Sequence, residues 1–299
     1  MNIKDVLVGS DPEVMVKSQK TQEIVSAIPL VKEGKDDPRD LGQGFKVLHD
    51  TTLIEFNIPP TDSKKRFIAT MREGLKRVSK VIGKEHTLIA QASHEFPKKF
   101  LKERDANVFG CAASFDAWEM RMCQPPDCKN GLRTGSTHLH IGRKDFENPS
   151  DDVLINPYSK ARIIRLMDLF LGIPFTILES NDPTNKARKK LYGTCGNHRP
   201  CEYGVEYRVL SNYCLRSPEL LDLAFDLSMF AVRMEVEGKA EALIENAPKE
   251  KIIATINSAS RSRAEKLLKA LPMPDALKKR VYELDKQFEP SPLKAWGIK

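Results

Sequence analysis

The sequence predicts an α+β protein, and three observations predict it. Short β-branched runs bounded by Pro and Gly fill the first two thirds of the chain. Stretches with apolar residues at helical spacing dominate the last third. The order, mixed strands first and helices after, is that of an α+β domain.

Taken in order, Val6–Lys17 reads as a strand interrupted by Asp11-Pro12, and Glu23–Val31 as a second. Lys46–Pro60 reads as one strand stopped by Pro59-Pro60, since proline cannot donate to a ladder. Asp62 is placed to cap a helix running to Ile82, along which Phe67, Met71, Leu75, Val78 and Ile82 recur on one face. Leu88–Ala92 and Thr137–Gly142 are strands. The stretch between them, Ser93–Gly135, is irregular, with breaks at Gly110, Pro125-Pro126 and Gly131. Tyr158–Leu171 is a helix ended by Gly172 and Pro174. Glu179–Pro200 is a polar loop, and loops of that length are commonly functional. Glu202–Leu210 is a strand, Pro218–Asn246 a helix or helix pair, and two further helices occupy Lys249–Ala270 and Pro274–Phe288.

The 299 residues are 40% hydrophobic, enough for one large core or two smaller ones. The net charge is +7, and the part from Ala247 onward holds twelve basic against six acidic residues, so most of the excess lies there. The expected division is therefore 1–246, a domain of mixed strands and helices, and 247–299, a basic helical extension. A basic surface favours polyanions, which keeps nucleic acid or a virion component open as a partner without favouring it. The first residues contain no long apolar segment, and the run at Leu166–Leu178 is too short to span a bilayer and is broken by Asp168. Six cysteines without a secretory signal point to reduced thiols and a cytoplasmic location. Oligomeric state is open.

Four strand segments carry the chemistry. Side chains two apart on a strand share a face. Asp11 and Glu13, Glu55 and Asn57, His138 and His140, and Glu206 and Arg208 are such pairs, each set among apolar neighbours of the opposite face. Carboxylates and imidazoles gathered on one face repel or raise one another's pKa, and a divalent cation relieves this. An oxygen-rich set with imidazole suits Mg²⁺ or Mn²⁺. A zinc module built from Cys123, Cys128, His138 and His140 is a rival reading. The stretch Arg188–Arg208 adds Arg188, Lys189, Lys190, Arg199 and Arg208 with Gly193, Gly196 and Gly204 between them. Arginine forks with close backbone approach match phosphate oxygens.

The segments GSDPE, EFN, THLHIG and YGTCGNHR…YGVEYRVLSN, spread over Val8 to Leu215, resemble the glutamine-synthetase/glutamate–cysteine-ligase superfamily. More closely they resemble its phage-type carboxylate–amine ligases (amidoligases). The resemblance implies a glutamine-synthetase-like curved, mostly antiparallel sheet with helices on its outer face and C-terminal helices beyond. It implies an enzyme that uses ATP and Mg²⁺ or Mn²⁺ to join a carboxylate, glutamate-like or peptide, to an amine through an acyl phosphate. Phage encoding would place it in the host cytoplasm. By residue, it implies Asp11, Glu13, Glu55, His138 and Glu206 as metal ligands. His140, Arg188, Arg199 and Arg208 would contact the nucleotide phosphates, with Arg199, Glu206 and Arg208 in the chemistry. Asn57, and Asp116 and Trp118 within FGCAASFDAW, would face substrate. Asp11 stands where Glu is commoner. A guanidino-type phosphotransferase on the same fold is the alternative reaction.

Overall fold

The computed structural model describes residues 3–108, 113–124, 131–144 and 153–298. It is α+β. The strands in chain order begin with β1 (Val6–Ser18), β2 (Ile24–Val25), β3 (Arg39–Gly42), β4 (Phe45–Asp50) and β5 (Leu53–Thr61). Next come β6 (His86–Ile89), β7 (Ser93–Glu95), β8 (Phe115–Asp116), β9 (Arg121–Met122) and β10 (Leu132–Thr134). The last are β11 (Thr137–Arg143), β12 (Asn197–Cys201) and β13 (Gly204–Tyr207). Eleven strands form one sheet whose main path is β3-β4-β5-β1-β11-β13-β12-β8-β9, with β2 and β6 pairing the end of β1; β7 and β10 form a separate pair. The ladders are antiparallel throughout the described residues.

Alternation sets the two faces. Val6, Val8, Val14 and Val16 of β1, Ile54, Phe56 and Ile58 of β5, Leu139 and Ile141 of β11, and Val205 and Tyr207 of β13 enter one hydrophobic core. Each fully buried side chain of this size contributes about 2 kcal/mol. Their neighbours Asp11, Glu13, Glu55, His138, His140 and Glu206 therefore project from the opposite face.

The core face is covered by helices. The first is α1 (Lys64–Ile82), which buries the five apolar residues expected of it. Its N-cap is Ser63 rather than Asp62. The Asp62 carboxylate instead pairs with Arg66 at 2.5 Å, one turn into the helix. Then follow α2 (Pro157–Met167), α3 (Ile173–Leu178) and α4 (Asn185–Leu191). A π turn, Asp168–Gly172, joins α2 to α3. Gly172 and Pro174 thus do not end the helix. A Cβ on Gly172 would lie 2.7 Å from the Tyr207 hydroxyl, so glycine serves close packing under the sheet. Pro174 sits in the first turn of α3, where a missing N–H is tolerated.

The rest are α5 (Pro218–Val236), α6 (Ala240–Glu245), α7 (Lys249–Asn257), α8 (Arg261–Ala270), α9 (Asp275–Glu283) and α10 (Pro292–Ala295). Ile252, Ile256, Ala264, Leu268 and Val281 from these C-terminal helices join the same core.

Other expectations are corrected. Lys46–Pro60 is a hairpin, turning at Thr51-Thr52 where Thr51 takes φ +54. Of Glu23–Val31, only Ile24–Val25 is strand; the remainder turns, with the Leu30 and Val31 N–H groups returning to the Ala27 carbonyl. Glu179–Pro200 is not a loop, because α4 and most of β12 lie within it. Lys249–Ala270 is two helices broken at Ser258–Ser260, where Ala259 takes φ +47. Gly110, Pro125 and Pro126 lie outside the described residues.

Candidate functional site

The ladder registers assemble the site. Asp11 pairs with His138, Glu13 with Glu55, and His140 with Glu206, which itself pairs with Arg199. Four neighbouring strands thus deliver their polar residues to one patch, and all six of the acidic and imidazole residues are buried or nearly so.

Two groups form within it. In the first, Asp11, His140 and Glu206 each offer a ligand atom within 4.8 Å of the others. His140 Nε2 lies 2.9 Å from Asp11 Oδ1, and His138 Nδ1 lies 3.2 Å from the same oxygen and 3.4 Å from Glu206 Oε1. These three atoms of Asp11, His138 and His140 are buried, yet none makes a hydrogen bond of normal geometry. Buried donors and acceptors are rarely left so. A mixed oxygen and imidazole set with uncommitted atoms fits a divalent cation such as Mg²⁺ or Mn²⁺. In the second group, Glu13, Asp50 and Glu55 converge within the same limit, and Lys35 Nζ sits 2.9 Å from Asp50 Oδ2 and 4.0 Å from Glu55 Oε2. His138 spans the two, its Nε2 3.9 Å from Glu13 Oε1.

The electrostatics follow from burial and charge. Burial alone would raise the Asp11 carboxyl, but His140 and His138 together pull it well below the ordinary range. Burial works against the His140 imidazolium, and Asp11 overrides it, leaving His140 above its ordinary value. Burial lifts Glu13, against the pull of His138 and with a further push from Asp50. Glu55 is raised well above the carboxylate range by burial and then by Asp11 and Asp50. A bound cation would offset both the burial and the like-charge contributions. The Tyr203 hydroxyl lies 2.6 Å from His140 Nδ1, so it orients the ring from behind.

The arginines divide. Arg199 Nη1 contacts Glu206 Oε2 at 2.9 Å, and Arg208 Nη1 bonds Glu206 Oε1. Both reach the patch. Arg188 does not. It is wholly buried, donating to the carbonyls of Val209 at 2.9 Å and Leu210 at 2.8 Å and to Ser136 Oγ at 2.9 Å. The expected phosphate contact is thereby replaced by anchorage of the chain leaving β13, because its donors are committed to backbone oxygens. Lys189 joins it, bonded to the Gly193 and Val209 carbonyls. Gly193 has φ +68, and a Cβ there would lie 2.2 Å from the Arg188 guanidinium.

The three expected substrate residues separate as well. Asn57 lines a cavity of about 360 Å³ with Leu7, Gly9, Pro60, His140 and Tyr203. Asp116 borders a second cavity of about 400 Å³ beside Tyr192 and Arg208, although its Oδ1 also accepts from the Trp118 and Glu119 N–H groups. Trp118 is turned away: it is buried in the core, and its Nε1 donates to Asp168 at 2.7 Å. The zinc alternative loses support, since Cys123 Sγ accepts from Asn197 rather than meeting the histidines, and Cys128 lies outside the described residues.

Strand periodicity does not single out Lys35, Asp50 or Tyr192. Asp50 ends β4 at a hairpin turn that read as mid-strand. Lys35 arrives on irregular backbone. Tyr192 follows α4, and its ring lies beneath the Arg208 guanidinium, 5.4 Å away. The motif R-x-x-x-Y, with a tyrosine just before Gly193, is the signal that pattern reading could have used.

Residues 155–288 match the family model described as Phage phiEco32-like COOH.NH2 ligase-type 2. This is the carboxylate–amine ligase family that the sequence resembles. The matched segment contains Arg199, Glu206 and Arg208; Asp11, Glu13, Glu55 and both histidines reach them from outside it through the sheet. No curated protein matches the chain. Among solved structures it is similar to a bifunctional glutathione synthetase from Pasteurella multocida (11% identity, 98% of this chain and 48% of that one, TM-score 0.45). It is also similar to a novel glutamine synthase homolog (12% identity, 94% and 71%, TM-score 0.38). The chain spans about half the length of the former. Among the described residues, no helix is long and apolar enough to cross a membrane.

Proposed function

We propose that this chain is an ATP-dependent ligase that joins a carboxylate to an amine. The observation that carries the reading is the convergence of Asp11, His138, His140 and Glu206, with Arg199 and Arg208 on the Glu206 carboxylate. The matched family segment supplies the last three.

In this reading Asp11, His140 and Glu206, with His138 beside them, hold a divalent cation, and Glu13 and Glu55 complete the acidic surround. When bound, Mg²⁺ or Mn²⁺ neutralises charge on the β- and γ-phosphate oxygens. The cavity by Asn57, Tyr203 and His140 takes the nucleotide, since it pairs apolar walls with Arg143 and Lys144. The cavity by Asp116, Tyr192 and Arg208 takes the acid.

A substrate carboxylate oxygen attacks the γ-phosphorus and the bond to the β-phosphate oxygen breaks, releasing ADP. The amine nitrogen then attacks the acyl carbon, phosphate leaves, and the amine gives up a proton. Arg208 and Arg199 stabilise the charge that builds on the transferring group. Glu206 holds both guanidinium groups in place before substrate arrives, so little reorganisation is left for the reaction. The acyl phosphate must be kept from water, and Tyr192 with the β8–β9 hairpin walls the acid cavity on that side. Residues 1–246 form the catalytic body in this reading and 247–299 a helical extension packed on it.

The test is a screen of acids and amines for ADP release, with product mass measured. ADP release that needs both substrates, and a product heavier than the acid by the amine less water, supports the ligase. ADP formed without amide would assign the guanidino-type phosphotransferase instead, and no acid-dependent turnover with any pair would overturn the reading.

A further inference from the structure

The second acidic group already contains a cation of the chain's own. Glu13, Asp50 and Glu55 bring three carboxylates within 4.8 Å, two of them buried. Into this space reaches Lys35, with its ammonium 2.9 Å from Asp50 and 4.0 Å from Glu55.

The placement is built, because the backbone bearing Lys35 is tied down on both sides. The His49 N–H donates to the Glu33 carbonyl at 2.9 Å, and His49 Nδ1 lies 3.0 Å from the Val31 carbonyl. The Glu33 carboxylate grips Arg39 through Nε and Nη2, each at 2.9 Å. A segment pinned at Val31, Glu33 and Arg39 brings Lys35 to the end of β4, where Asp50 stands.

We propose that Lys35 is the resident cation of this second group: its ammonium fills the position a divalent ion would take among Glu13, Asp50 and Glu55. Exchangeable metal is then confined to the position beside Asp11, His140 and Glu206. The second clause rests on the functional reading above; the first does not.

Three carboxylates this close attract a cation strongly, but the space between them holds one. A tethered ammonium need not be drawn from solution, so it competes at a high local concentration. Its single charge offsets only part of three negative ones. Removing it uncovers an unoccupied oxygen cage.

Equilibrium binding of Mn²⁺ alone to the full chain, followed by the paramagnetic signal of the free ion, tests this. Lys35→Met is expected to bind one more Mn²⁺ per chain than the parent, and Lys35→Arg no more than the parent. Asp50→Asn in the parent should leave the count unchanged, because Asp50 there holds a lysine; added to Lys35→Met it should abolish the gain. An unchanged count in folded Lys35→Met overturns the proposal. So does a lowered count in Asp50→Asn, a measurement that needs no change at Lys35. If the parent binds no Mn²⁺ while Lys35→Met gains an ion, Lys35 is the resident cation and the metal position of the ligase reading fails on its own.

Discussion

Asp11 lies opposite His138 in the ladder, yet the imidazole nearest its carboxylate is that of His140, with Nε2 2.9 Å from Oδ1. His140 faces Gly9 across the same pair of strands, so its ring leans diagonally over a residue with no side chain to reach Asp11. The ion pair with Asp11 outweighs burial and lifts His140 above its ordinary pKa.

A metal ligand must be neutral imidazole, so protons and Mn²⁺ compete at this atom. Mn²⁺ affinity is expected to rise about tenfold per pH unit below the raised His140 pKa and to level off above it. His140→Gln should flatten that dependence. Isothermal titration across pH 6 to 9 checks both, and an unchanged profile in the variant would remove His140 from the cation position.

Glu206 touches both Arg199 and Arg208 and pairs in register with His140. Glu206→Gln is expected to lower kcat by at least about a hundredfold, since two guanidinium groups and a cation ligand lose their common anchor. Glu13→Gln should cost a similar factor. Circular dichroism should show both variants folded, and full turnover in either would break the site assignment.

Arg188 reads in the sequence as a phosphate ligand and sits in the structure as a backbone anchor. Arg188→Met should destabilise the fold by about 3–5 kcal/mol, because carbonyls of Val209 and Leu210 lose their donors in a buried place. Gly193→Ala should act in the same direction through the clash with Arg188. Urea unfolding measures each. A stable Arg188→Met protein with a raised KM for ATP would restore the phosphate role.

Asp168 is buried beneath the sheet, where Trp118, Cys195, Tyr207 and the Gly196 N–H all donate to it. Burial nevertheless pushes its carboxyl up to about 6. A folded-state pKa above the unfolded one means stabilisation complete below about pH 4 and lost as pH rises through 6. Relative to Asp168→Asn, the wild-type unfolding free energy should fall by about 3 kcal/mol between pH 4 and pH 7. Guanidinium unfolding at the two pH values checks the sign; a difference that grows with pH would refute it.

Much of the sheet was legible because strand alternation is local. Asp11 and Glu13, Glu55 and Asn57, and His138 and His140 fall two apart among Val, Ile and Phe, and that spacing alone puts each pair on one face. The amphipathic run from Phe67 to Ile82 identifies α1 for the same kind of reason. Less legible were the breaks. The hairpin at Thr51 and the break at Ala259 both use positive φ at residues that seldom adopt it, so no turn residue announced them. At Gly172 and Pro174, helix-breaking residues are carried through by a π turn and by packing under Tyr207.

The chemical inventory of the site, carboxylates with imidazoles and arginines, was therefore determined by the sequence, since residue type and strand period are properties of the chain itself. Which of those groups meet was decided by the tertiary structure. A diagonal lean across Gly9 brings His140 nearer Asp11 than the His138 that faces it in the ladder, and buried carbonyls take Arg188 out of the patch. A pinned segment far from any motif brings Lys35 to Asp50. Each of these depends on contacts between residues distant in sequence, where no periodicity carries information.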